Sequence, residues 1–106
     1  MPTVTEKHIA MKKRIGSLDG KPVVELMTSG GLYMVVTNKA GALDILGTGP
    51  HRAVARFLAK KKEPKLEVTE LSKSDWLDQT AIDSVASKYE RLTERLNGLA
   101  EEHFSR

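Results

Sequence analysis

The side chains best suited to chemistry lie in one stretch, Leu46-Gly47-Thr48-Gly49-Pro50-His51-Arg52, followed by Arg56 and Lys60 at four-residue steps. A glycine-flanked turn that feeds a helix leaves backbone N–H groups free, and the helix dipole adds partial positive charge there. Pro50 suits the first helical position, where a missing N–H is no loss, with Thr48 or Gly49 as the N-cap. Thr48, Gly49, His51, Arg52, Arg56 and Lys60 therefore form a candidate anion or nucleic-acid site, in which His51 donates to a phosphate and the arginines supply charge. The same stripe also fits a solvated helix face, and a lone His in a first helical turn is more often only structural.

Catalytic groups are scarce. His8, His51 and His103 are far apart, and none belongs to a metal-binding pair one helical turn apart. No serine lies in a G-x-S-x-G elbow, and the chain has no cysteine, which excludes a thiol nucleophile, a disulfide and a thiolate zinc site. The Gly47–Arg52 stretch lacks the lysine and spacing of a Walker A loop, and Gly47-x-Gly49 is a fragment of a dinucleotide fingerprint. No catalytic residue, metal set or cofactor is assigned, so a non-enzymatic protein is expected. The competing class is a small enzyme or ligand-binding protein that takes a phosphorylated small molecule at the Gly47–Arg52 turn.

The elements that would position these groups follow from periodicity and turn chemistry. Residues 1–21 read as a partly ordered basic arm carrying Lys12-Lys13-Arg14. Within it, Glu6 to Ile15 has enough of a stripe (Ile9, Met11, Ile15) for a short helix ended by Gly16. Residues 22–106 read as a single domain. Strands are expected over Val23–Thr28, Leu32–Thr37 and Ala42–Leu46, with links at Ser29-Gly30-Gly31 and Asn38-Lys39-Ala40-Gly41 short enough to require an antiparallel meander. Leu26, Leu32, Met34, Val36, Leu43 and Ile45 are expected to face inward, and Glu25 and Asp44 outward.

A helix from Pro50 to about Lys62 is expected to bury Ala53, Val54, Phe57 and Leu58. A fourth strand over Lys65–Leu71 should then run parallel to the third or the first. The last helix, capped by Ser72 or Ser74, is expected over residues 75–104, with Trp76 packing its start onto the sheet. The result is a two-layer α+β fold of order βββαβα, with a short N-terminal helix as the optional addition.

That last helix carries a heptad stripe of Ile82, Val85, Tyr89, Leu92, Leu96, Leu99 and His103. About 30 residues of helix span roughly 45 Å, whereas a six-residue strand spans about 20 Å. The far half is therefore expected to overhang the sheet, and Ile82, Val85, Tyr89, Leu92, Leu96 and Leu99 become candidates for self-association as a homodimer. The alternative is that the tail folds back on its own domain or frays after Gly98.

At 106 residues, 40% hydrophobic and 29% charged, the chain has the composition of a single soluble globular domain. Its apolar runs are too short to cross a bilayer, no signal-peptide core follows Met1, and a reducing cytoplasm is the expected location. The net charge of +3 is unevenly spread. Residues 1–65 carry 12 Lys/Arg against 5 Asp/Glu, and residues 66–106 carry 5 against 9. Such a split suits either an acidic partner or mutual attraction of the two halves.

Residues Gly47 to Ala59 resemble the segment that opens the second helix of a double-stranded RNA-binding domain. By that resemblance, Arg52 and Arg56 would grip phosphates across a major groove. His51 and Ala53 depart from the Ser and Lys preferred there, Ser29-Gly30-Gly31 is too short for that family's minor-groove loop, and a strand and long helix follow. The resemblance is therefore not adopted. The expectation is an interaction module that self-associates through its last helix and offers a basic face to an anionic partner such as nucleic acid.

Overall fold

The computed structural model describes residues 9–104, with side chains from Ile9 to Gly98. Five strands form one sheet: β1 (Ile9–Leu18), β2 (Lys21–Thr28), β3 (Tyr33–Lys39), β4 (Ala42–Gly49) and β5 (Glu67–Val68). Their order is β4-β3-β2-β1-β5, and every neighbouring pair is antiparallel. Helix α1 (Arg52–Lys62) follows β4, and a 3-10 turn (Lys73–Asp75) precedes helix α2 (Gln79–Phe104). The α+β class, the meander, the packing helix, the later strand and the long C-terminal helix are those expected from the sequence. No described helix is long and apolar enough to cross a membrane.

Several corrections bear on function. The described part of the stretch that offered a short N-terminal helix, from Ile9 onward, is instead in β1, paired with β2 from Ile9↔Thr28 to Leu18↔Lys21. The two-residue link Asp19-Gly20, both at positive φ (51° and 79°), has the twist that joins antiparallel strands. It carries the meander one strand further back. Residues 1–8, the start of the expected arm, lie outside the described residues.

The strand β5 is not parallel to a neighbour. It pairs antiparallel with β1 at Gly16 and Ser17, at the end of the sheet opposite β4. The glycines ahead of α1 are not a turn either. Gly47, Thr48 and Gly49 continue β4, opposite Val35, Met34 and Tyr33.

The start of α2 is also shifted. Ser72 makes no side-chain capping bond to the 3-10 turn, while Asp78 Oδ1 accepts the Ala81 N–H at 2.8 Å and caps α2 itself. Trp76, expected to be packed, is 68% exposed.

Apolar residues fall on both faces of the sheet. Val23, Val35 and Leu46 pack with Ile15, Leu66 and the α1 residues Ala55 and Ala59. On the opposite face Leu26, Met34, Val36 and Ile45 cluster, joined by Ile9, Val24, Leu32 and Leu96 of α2. Leu43 is the expected inward residue that fails, being 42% exposed near the β3–β4 turn. A third cluster lies between the helices: Ala53, Val54 and Leu58 of α1 meet Ile82, Val85, Ala86 and Tyr89 of α2, with Phe57 at its margin.

Thus α1 is buried on two sides. Ala55 and Ala59 face the sheet, where a Cβ on Gly47 would lie 2.1 Å from the Ala55 carbonyl oxygen and one on Gly49 would lie 2.7 Å from Val54 Cβ. Gly47 and Gly49 are there so that a helix can lie against a strand.

Candidate functional site

The basic residues of α1 are held by their own chain. Glu25, expected to face out, is 1% exposed and points from β2 toward α1. Its Oε1 lies 2.7 Å from Arg52 Nε, a charge contact without the alignment of a hydrogen bond. Its Oε2 accepts from Arg56 Nε at 3.2 Å. Arg52 Nη1 donates to Asp75 Oδ2 at 3.0 Å, its Nη2 reaches Met11 Sδ at 3.4 Å, and its guanidinium lies 5.1 Å from the Tyr33 ring centre. Arg56 Nη1 donates to the Thr69 carbonyl. Two guanidiniums therefore meet two carboxylates, and no net positive charge is left for an added anion.

Titration behaviour follows this balance. Burial works against the charge of Arg52, but Glu25 and then Asp75 outweigh it, so its pKa is raised above the ordinary arginine value. The Asp75 carboxyl is held below its usual value by the Ser72 hydroxyl, against some desolvation, and then by Arg52.

The remaining expected anion-site residues are structural in the same sense. His51, not Thr48 or Gly49, is the N-cap of α1, its Nδ1 accepting the Ala53 N–H at 3.1 Å. That bond fixes the ring proton on Nε2. Pro50 lies one residue before the cap rather than in the first helical turn. Thr48 is fully buried, and its hydroxyl donates to the Tyr89 carbonyl at 3.1 Å while lying 2.9 Å from Thr93 Oγ1. It docks α2 onto β4.

Lys60 donates to the Leu66 carbonyl at 2.5 Å, Lys61 pairs with Glu90 at 3.1 Å, and Lys62 pairs with Asp44 at 3.6 Å. All five cations of α1 are thus engaged within the chain. Part of the opposed charge of the two halves is satisfied the same way, by Lys61 with Glu90 and Arg52 with Asp75.

Sequence reasoning missed Glu25, although a signal was present. Val23, Val24 and Leu26 are apolar in both phases of the strand, which means burial on both faces, so Glu25 has no exposed face to occupy.

The heptad stripe of α2 is used at home as far as the side chains are described. Ile82 is buried, and Val85 and Tyr89 pack on α1. Leu96 joins the cluster on the far face of the sheet, Leu92 is half-buried, and the Leu99 side chain lies outside the described residues. The expected overhang is absent up to Asn97, whose amide accepts the Ile45 N–H at 2.8 Å and donates to the Ile45 carbonyl at 2.7 Å. Asn97 therefore takes the place of a neighbouring strand along the outer edge of β4.

A cavity of about 220 Å³ between β4, α1 and α2 is lined by Leu46, Leu58, Lys61, Lys62, Glu90, Thr93 and Glu94. It is smaller than most ligand sites and does not take in His51 or Arg52. No group of three His, Cys, Asp or Glu among the described residues is arranged to hold a metal ion.

A different basic group stands apart from these pairs. Lys12, Lys13 and Arg14 stand in a row on β1, all exposed, and none has an acidic partner among the ion pairs of the described residues. Compared with protein-family models, with curated proteins and with solved structures, the chain matches none.

Proposed function

We propose that this chain is a non-enzymatic interaction module whose working surface is the basic strand β1, where Lys12, Lys13 and Arg14 meet an anionic partner. The observation that carries this reading is the contrast between five engaged cations on α1 and three consecutive exposed ones on β1 with no acidic partner among the described residues. Cations already neutralised by buried or bridging carboxylates add little to association, whereas exposed ones raise the local concentration of an anion and its on-rate. Self-association through α2 would have to use Leu92 and residues beyond Gly98, because Ile82 to Tyr89 and Leu96 are occupied within the chain.

The test compares the unmodified chain with one double charge-reversal variant for binding of labelled polyglutamate and of single-stranded DNA, at about 50 and about 200 mM salt. Lys12→Glu with Arg14→Glu is expected to weaken binding of the preferred probe by about tenfold or more. Full retention of binding by that variant removes β1 as the surface. Sedimentation of the unmodified chain, expected to give a monomer, separates this reading from the α2 dimer.

A further inference from the structure

The two edges of the sheet are treated differently. Along β4 the outer side is covered by α2, with Asn97 completing the main-chain bonds of Ile45. On the other side, β5 pairs with β1 only at Gly16 and Ser17, with one further bond from the Thr69 N–H to the Ile15 carbonyl. From Ile9 to Arg14 the outer side of β1 has no neighbouring strand among the described residues. Six residues of strand span about 20 Å, the length of an ordinary strand. An exposed edge of that length is a template for one more strand.

We infer that this edge is a docking site for an extended acidic polypeptide segment, which adds to the sheet as a sixth strand beside Ile9–Arg14. The inference rests on the reading that β1 meets an anionic partner, and it specifies that partner's chemistry and its mode of binding.

The placement of the cations selects a strand over a nucleic acid. Lys13 lies opposite Glu25 and so shares the α1 face of the sheet, while Lys12 and Arg14 lie opposite Leu26 and Val24 on the other face. A nucleic acid is best met by charge gathered on one surface. Charge divided between the two faces of an edge suits a ligand in the plane of the sheet, whose own side chains alternate in the same way. Acidic residues in the added strand would then stand about 5 Å from Lys12, Lys13 and Arg14 in turn.

A second copy of the chain is a poor occupant. Antiparallel pairing of two β1 edges through residues 12–14 sets lysines and arginines across from one another, and like charges directly opposite destabilise a pair. The side chains that guard the edge against its own kind therefore favour an acidic one. At its N-terminal end a shallow depression of about 310 Å³, lined by Ile9, Ala10, Met11 and Lys12, gives an apolar seat for one side chain of the partner.

The test uses the full chain and a labelled, end-blocked decapeptide with three consecutive Glu at its centre, flanked by Val and Thr, so that acidic side chains fall on both faces of the added strand. Beside it are the same peptide N-methylated throughout, which removes its main-chain donors, and a single-stranded DNA of equal charge. The unmodified peptide is expected to bind at least about tenfold more tightly than either comparator. Hydrogen exchange is expected to slow, only when the peptide is present, at those amides of residues 9–14 that point away from β2. Lys12→Glu with Arg14→Glu is expected to abolish both effects without altering the thermal midpoint.

Equal binding of the N-methylated peptide or of the DNA overturns strand addition and leaves the anionic-partner reading standing. Failure of every probe overturns both. Slow exchange, in the free protein, of the amides of residues 9–14 that point away from β2 also overturns the inference, since the edge would then already be paired by another part of the chain or by a second copy.

Discussion

Helix α1 and strand β1 each carry a run of cations, and the fold treats them in opposite ways. On α1 the guanidiniums of Arg52 and Arg56 turn toward the sheet and meet Glu25 and Asp75. On β1, Lys12, Lys13 and Arg14 stand in solvent with no acidic partner among the described residues. Charge at a surface is a clue to binding only after the charges that hold the fold together have been subtracted. Here the subtraction moves the candidate surface from the Gly47–Lys60 stretch to the far edge of the sheet.

The strongest break in this comparison comes from Glu25. Glu25→Ala leaves two partly buried guanidiniums facing a gap, and the expected loss is about 3–5 kcal/mol in urea unfolding. If the loss is under about 1 kcal/mol, the α1 arginines are not held by Glu25 and return as binding candidates. Next comes Gly47→Ala, whose added methyl meets the Ala55 carbonyl at 2.1 Å. Destabilisation of about 3 kcal/mol is expected from the strand–helix separation it forces. An anion-cradling glycine would instead tolerate alanine in a thermal melt and lose only ligand.

A smaller effect is expected at Thr48. Thr48→Val keeps the shape but loses the hydroxyl bond to the Tyr89 carbonyl, while Thr93 still donates to that same carbonyl at 2.8 Å. The expected cost is about 1 kcal/mol, seen as a lower urea midpoint.

Acid sharpens the contrast in another way. The folded-state pKa of Asp75 lies below its unfolded value, so its contribution to stability is present above the unfolded carboxylate range. That contribution is lost as pH falls through the folded value. Ser72→Ala removes the first cause of the depression, and a flatter acid limb of the stability profile is expected. Smallest of all for the fold are the β1 charges. Lys12→Glu with Arg14→Glu is expected to change stability by less than about 0.5 kcal/mol while changing binding most, which is the reverse of Glu25→Ala.

How much was legible beforehand differs from element to element. The β2–β3–β4 meander and α1 are local matters of alternation, turn residues and a four-residue apolar stripe, and they stand where the pattern put them to within a few residues. Strand β1 was obscured because Ile9, Met11 and Ile15 fit a poor helical stripe as well as a strand broken by irregular pairing at Met11 and Gly16. The Gly47-Thr48-Gly49 stretch was misplaced because glycine signals both a turn and a close approach of two backbones, and only the partner helix distinguishes them.

By itself, the sequence determined the α+β class, the antiparallel meander and the long final helix, since these depend on period and turn chemistry over a few neighbouring residues. Tertiary structure alone decided which cations are free. The pairing of Arg56 with Glu25 joins residues 31 positions apart. The strength of a charge pair depends on distance and burial, and neither exists until the sheet and helix have closed on each other.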